Sequence, residues 1–145
     1  MLQMKLCGDL VLRTECAPVD NITPELLSTM DEMVEMMRAQ NGVGLAAPQV
    51  GILSRFLVMM DPDSETVFRM INPKIVSYGN ETCSMEEGCL SVLGKNGLPV
   101  YAYPLTSAPA LVAASIVSVF APFSSLILMF NSGIVFPLIF LFINE

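Results

Sequence analysis

Residues 42–49 read GVGLAAPQ, a stretch that combines two glycines, two adjacent alanines and one amide side chain. Glycine reaches backbone conformations and close approaches that a Cβ forbids. The small Ala46 and Ala47 leave room for a ligand or a packed neighbour, and the Gln49 amide can donate a hydrogen bond to a polarised carbonyl oxygen. Taken alone, the stretch favours an ordinary glycine-containing connection after a helix.

An amphipathic helix is predicted directly before this stretch, from about Pro24 to Gln40. Thr23 is suited to the N-cap, Pro24 to the first helical position, and Asn41 with Gly42 to the stop. The apolar residues in between recur at helical spacing and form one stripe: Leu26, Leu27, Met30, Met33, Val34 and Met37.

The residues that follow predict strands. Arg55–Met60 and Thr66–Ile71 are rich in strand-forming side chains, and the turn residues 61–64 between them (DPDS) indicate a hairpin. A further short strand is predicted at Ile75–Tyr78, closed by the turn formers at positions 79 and 80.

A second stretch, residues 87–91, reads EGCLS. Its Cys89 could be a nucleophile or a thiolate metal ligand, and the common alternative is a buried structural cysteine. A nucleophilic cysteine needs an activating base such as histidine, and the chain contains no histidine. The cysteine-nucleophile interpretation is therefore weak.

Together the two stretches resemble the first two motifs of the peptide deformylase family, GxGLAAxQ and EGCLS, at every specified position. The segment Gly8–Arg13 also resembles the start of that family, and the resemblance covers about residues 4–102. It implies an α+β fold of small mixed sheets with an N-terminal helix. It also implies metal-dependent removal of the formyl group from the N-terminal formyl-methionine of new proteins.

The resemblance assigns roles to individual residues. Cys89 corresponds to the thiolate ligand of a divalent ion, usually Fe²⁺ and replaceable by Zn, Ni or Co, which the family holds with one Cys and two His. Gln49 and the backbone N–H of Leu90 correspond to the groups that stabilise the oxyanion. Val43, Gly44 and Leu45 would lie against the formyl-methionyl peptide, and Glu87 would brace the loop.

The third motif of the family, HExxH on a helix, is absent. It supplies the two His ligands and the general-base Glu, whereas this chain has no histidine and no acidic residue between Glu87 and Glu145. The charge pattern changes at the same place: Lys95 is the last charged residue before Glu145. We therefore divide the chain into a deformylase-like part, 1–103, and an apolar tail, 104–145, which is expected to be helical.

Composition limits the partners. With a net charge of −7 and only seven Lys and Arg, a nucleic-acid partner is not expected, because phosphate binding needs clustered cations. No cysteine pair has CxxC spacing and the first nine residues carry no signal-peptide pattern, which favours a reducing cytoplasmic location. Residues 108–143 are apolar enough for membrane contact, but no Lys or Arg flanks them.

Three explanations for the missing motif remain open: a reading-frame shift near Tyr103, a non-catalytic relative that binds peptides through residues 42–49, and a membrane-anchored protein with a deformylase-like half. Only the first predicts that translation of the other two frames beyond codon 103 restores HExxH. Failure to find the motif there would favour the other two.

Overall fold

The computed structural model of the chain describes the backbone of residues 1–83, 87–93, 99–102, 108–116 and 126–128, and the side chains of residues 1–74 and 89–93. In these ranges the chain forms one α-helix, α1 (Pro24–Ala39), and two short 3₁₀ helices, Leu10–Arg13 and Ala47–Val50. It also forms eight strands: β1 Gly44–Ala46, β2 Phe56–Met60, β3 Val67–Ile71, β4 Lys74–Cys83, β5 Glu87–Leu93, β6 Pro99–Ala102, β7 Ala108–Ile116 and β8 Leu126–Leu128.

Helix α1 begins and ends where the capping residues predict, to within one residue. The Thr23 hydroxyl accepts a hydrogen bond from the Leu26 N–H at 3.2 Å, and Pro24 opens the helix. The pKa of Glu25, in the first turn, is lowered by hydrogen bonds from its own backbone N–H and from Thr23. Gln40, predicted as the last helical residue, is the C-cap.

The predicted hairpin is confirmed as the β2–β3 pair, with each strand one residue shorter than expected at its start. At its turn, the Asp61 carboxylate accepts from the Ser64 hydroxyl at 2.6 Å and from the Asp63 N–H at 3.1 Å. These bonds, led by that from Ser64, lower the pKa of Asp61. Strand β1 pairs antiparallel with β2, so the sheet runs β1-β2-β3.

The described hydrophobic core lies between α1 and the β1-β2-β3 sheet. Burying one large apolar side chain is worth about 1.5–3 kcal/mol, so this layer is the main source of stability for the described part of the chain. Its buried members are Met30, Met33, Val34, Met37, Leu45, Ala47, Val50, Phe56, Val58, Ile71 and Leu90.

Strand β5 contributes one residue to that core, and a glycine makes room for it. A Cβ at Gly42 would lie 2.6 Å from Leu90 Cδ1 and 3.3 Å from Leu90 Cγ, so any larger residue would require the buried Leu90 side chain to shift. Gly42 thereby links the turn after α1 to β5, a strand that pairs only with β6 among the described strands.

Strand β4 corrects the prediction that a turn at Gly79-Asn80 closes a strand at Ile75–Tyr78. The strand runs through these residues to Cys83, and its register with β7 shifts between Tyr78 and Thr82. The turn-forming residues therefore lie in a bulged part of the strand, where glycine is tolerated without ending the pairing.

The apolar tail was expected to be helical, and this prediction is wrong for its described residues. Residues 108–116 and 126–128 are strands β7 and β8, in a three-stranded sheet ordered β4-β7-β8. The long strand β4 offers β7 a partner for its backbone groups, and such pairing overrides the weak local preference of an apolar run. The remaining tail residues lie outside the described ones. Within the described ranges, no helix has the length and apolar character needed to cross a membrane.

The Gly42–Leu90 contact can be tested by a double-mutant cycle. Gly42→Ala forces Leu90 out of its position and should lower the free energy of unfolding by about 1–3 kcal/mol. In a Leu90→Ala background the same substitution should cost little, because the new methyl group enters vacated space. Urea unfolding of the four variants measures the coupling. Equal costs of Gly42→Ala in both backgrounds would show that the two residues do not share this space.

Candidate active site

The side-chain amide of Gln49 connects the two motifs. Gln49 lies in the 3₁₀ helix that follows β1 and is only 3% exposed. Its Oε1 accepts the Ala46 N–H at 2.9 Å, while its Nε2 donates to Ser91 Oγ at 3.0 Å and to Cys89 Sγ at 3.9 Å. Because a backbone donor holds the oxygen, the Nε2 hydrogens must point toward β5.

Strand geometry explains which residues of β5 face Gln49. Successive side chains of a strand point to opposite faces, so Cys89 and Ser91 share one face and Leu90 takes the other. Ser91 is 1% exposed, Leu90 is buried against Gly42, and Cys89 is half-buried with a free thiol. The alternation therefore sends the apolar side chain into the core and presents the thiol and the hydroxyl to the amide.

Strand β1 presents backbone groups at an edge of its sheet. The Val43 carbonyl accepts the Met60 N–H at 2.8 Å, which fixes the alternation of the β1–β2 pairing. In an antiparallel pair, every second residue directs its N–H and C=O away from the partner strand. In β1 these outward-facing residues are Gly44 and Ala46. The Ala46 N–H bonds to Gln49, whereas Gly44 has a donor and an acceptor suited to an added extended peptide.

The donor set does not fit the metal that the resemblance implies. Of the three ligands in that pattern only Cys89 has a counterpart, because the chain has no histidine. Among residues whose side chains the structure describes, no three His, Cys, Asp or Glu come close enough together to hold an ion. The Cys89 thiol lies 3.9 Å from the amide nitrogen of Gln49, a hydrogen-bond donor that cannot replace imidazole as a ligand.

The structure brings together most of the site residues named from the sequence. Gln49 and Cys89 are in contact, and Gly44 and Leu45 lie in β1, directly after Val43. Leu90 lies between Cys89 and Leu93, where the β5–β6 register shifts, so its backbone is outside the regular ladder. The predicted bracing role of Glu87 concerns a side chain outside the described ones.

Two parts of the site were missed from the sequence. Ser91 belongs to the second motif, and its spacing of two from Cys89 could have placed it on the same face. No sequence pattern marks the hydrogen bond from the Ala46 N–H to Gln49, because this bond depends on the turn of the chain between residues 46 and 49.

Known proteins of one family resemble this chain over the stretch that contains both motifs. The sequence model of the polypeptide deformylase family matches residues 1–98. The peptide deformylase of Halothermothrix orenii is 43% identical over 106 residues, covering 73% of this chain and 68% of that protein. That of Agathobacter rectalis is 48% identical over 90 residues, covering 62% and 55%. The chain thus spans roughly half to two thirds of the length of such curated relatives.

Solved structures give the same result. The peptide deformylase from Thermotoga maritima superposes with a TM-score of 0.65 at 36% identity, over 80% of this chain and 73% of that one. The enzyme from Synechococcus elongatus in complex with actinonin gives a TM-score of 0.69 at 35% identity, over 79% and 58%. By its two motifs, its fold and these matches, the chain belongs to the peptide deformylase family.

Proposed function

We propose that this chain derives from an enzyme that removes the formyl group from N-terminal formyl-methionine, and that it keeps the peptide-binding half of that site without the hydrolytic half. The contact of Gln49 with Cys89 and Ser91 carries the first part of the proposal, because it assembles both motifs. The absence of histidine from the sequence carries the second.

The binding half consists of a strand edge and an oriented amide. Gly44 offers a backbone donor and acceptor to an extended peptide, with Val43 and Leu45 beside it. An acyl oxygen placed next to Cys89 could accept a hydrogen bond from Gln49 Nε2, which now points at the thiol 3.9 Å away. The backbone N–H of Leu90 would be a second donor to the same oxygen, as the family resemblance assigns.

The hydrolytic half lacks both its metal ligands and its base. A catalytic metal site needs about three protein ligands and an open position. Cys89 is the only residue here that corresponds to one of the family's ligands, and no acidic residue lies between Glu87 and Glu145 to serve as base. The family's metal, Fe²⁺ or a Zn, Ni or Co substitute, is therefore not expected to be held.

The setting proposed for the chain follows from the family. A formyl-methionyl peptide is the proposed partner and the cytoplasm the proposed location, where thiols such as Cys7, Cys16 and Cys89 stay reduced. Burial raises the pKa of the Cys16 thiol, an effect that the nearby Arg55 opposes, so Cys16 is poorly suited to react as a thiolate.

Binding and hydrolysis can be measured on one formyl-Met tripeptide. With Fe²⁺ or Ni²⁺ added under anaerobic conditions, formate release should not exceed that of the metal in buffer. The peptide should still bind, and Gln49→Glu should weaken that binding about threefold to tenfold. Glutamate keeps the acceptor for the Ala46 N–H and removes the donor to the acyl oxygen.

Matched variants serve as controls. Gln3→Glu makes the same substitution at an exposed position and should leave binding unchanged. Equal binding by both glutamate variants would contradict the role of Gln49. Turnover that Cys89→Ala abolishes and Cys7→Ala preserves would contradict the absence of hydrolysis.

A further inference from the structure

The N-terminal strap, Met4–Cys7, contacts both motifs through alternate residues. The Lys5 N–H donates to the Gln49 carbonyl at 2.7 Å, and the Cys7 N–H donates to the Ser91 carbonyl at 2.7 Å. These two bonds join the strap to the two residues whose side chains already meet through Nε2 and Oγ. The strap thus bridges the two motifs along the backbone, beside the side-chain bond.

Side chains of the strap support the same bridge. Met4 Sδ lies 4.0 Å from Ser91 Oγ. Lys5 extends over Gly51, where a Cβ would lie 3.0 Å from Lys5 Cε, and Gly51 also needs its positive φ of 85°. Both ends of the bridge are therefore packed as well as hydrogen-bonded.

Strand β5 has few other attachments to the helix-and-sheet core. For the fully described part of β5, residues 89–93, the Cys7–Ser91 bond is the one backbone hydrogen bond to residues 1–74. The other contacts that hold these residues are made by side chains: Leu90 against Gly42, Gln49 with Cys89 and Ser91, and Met4 with Ser91. A strand held mostly by side chains depends strongly on its one backbone bond to stay in register.

We propose that the strap positions β5, and with it the Cys89 thiol, against the Gln49 amide. Lys5 and Cys7 act as positioning residues through their backbone N–H groups, and the Cys7 thiol itself takes no part. The inference concerns the geometry of the site and stands whether or not the chain binds a formylated peptide.

Alkylation of Cys89 tests the strap, with each cysteine followed separately by mass spectrometry of its peptide. Cys7→Pro removes the N–H that donates to the Ser91 carbonyl. It should raise the Cys89 alkylation rate about fivefold or more, the change expected when one backbone hydrogen bond is lost. The buried Cys16 is an internal reference, and its rate should stay unchanged if the opening is local.

Two matched variants isolate the hydrogen bond. Cys7→Ser keeps the N–H and removes the thiol, and Leu6→Pro places proline at the intervening exposed position, whose N–H has no partner among the described residues. Both should alkylate Cys89 at the rate of the unaltered chain, to within about twofold, since neither removes a bond of the strap.

Three results would overturn the proposal: an unchanged Cys89 rate in Cys7→Pro, an equal rise in Leu6→Pro, or a parallel rise of Cys16 and Cys89, which would indicate general destabilisation. If Cys7→Pro loses the helical circular dichroism of α1, the decision rests on Lys5→Pro. That variant removes the bond to Gln49 together with the Lys5 side chain over Gly51, leaves the Cys7–Ser91 bond in place, and is judged by the same criteria.

Discussion

The arrangement of the two motifs depends on the hydrogen bonds of the buried Gln49 amide. Its oxygen is held by the Ala46 N–H, and its nitrogen reaches the hydroxyl of Ser91 and the thiol of Cys89, about forty positions further along the chain. A buried amide left without partners is costly, so these contacts favour one position of β5 relative to the first motif. Gly42 favours the same position by admitting Leu90 to the core.

This arrangement separates two tasks that a metal hydrolase performs together. Orienting an acyl group needs a strand edge and hydrogen-bond donors, which in the proposed site would come from residues 43–49 and from β5. Activating water needs a metal held by several ligands and a base, which in this family come from the third motif. The proposed orienting part does not depend on that motif, because the described side-chain contacts of Gln49 are made within residues 46–91.

How far the sequence predicts this structure depends on how local each signal is. The ends of α1 follow from Thr23, Pro24 and Gln40, since capping is decided within a few residues. The hairpin of β2 and β3 follows from the turn residues at its tip, and the contact of Gln49 with Cys89 follows from the two motifs. The path of β4 and the strands of the tail were missed, because pairing between distant segments overrode the local pattern. The strap was also missed, since its bonds are made by backbone groups that no side-chain pattern marks.

The proposed loss of hydrolysis rests on one expectation: a single thiolate, without imidazole beside it, does not hold a hydrolytic metal ion. Its most direct test is the metal content of the chain after anaerobic equilibration with Fe²⁺, Ni²⁺ or Zn²⁺ and removal of the free ion. We expect well under one ion per chain, with no difference between the unaltered chain and Cys89→Ala. One tightly held ion per chain, lost on Cys89→Ala, would contradict the account.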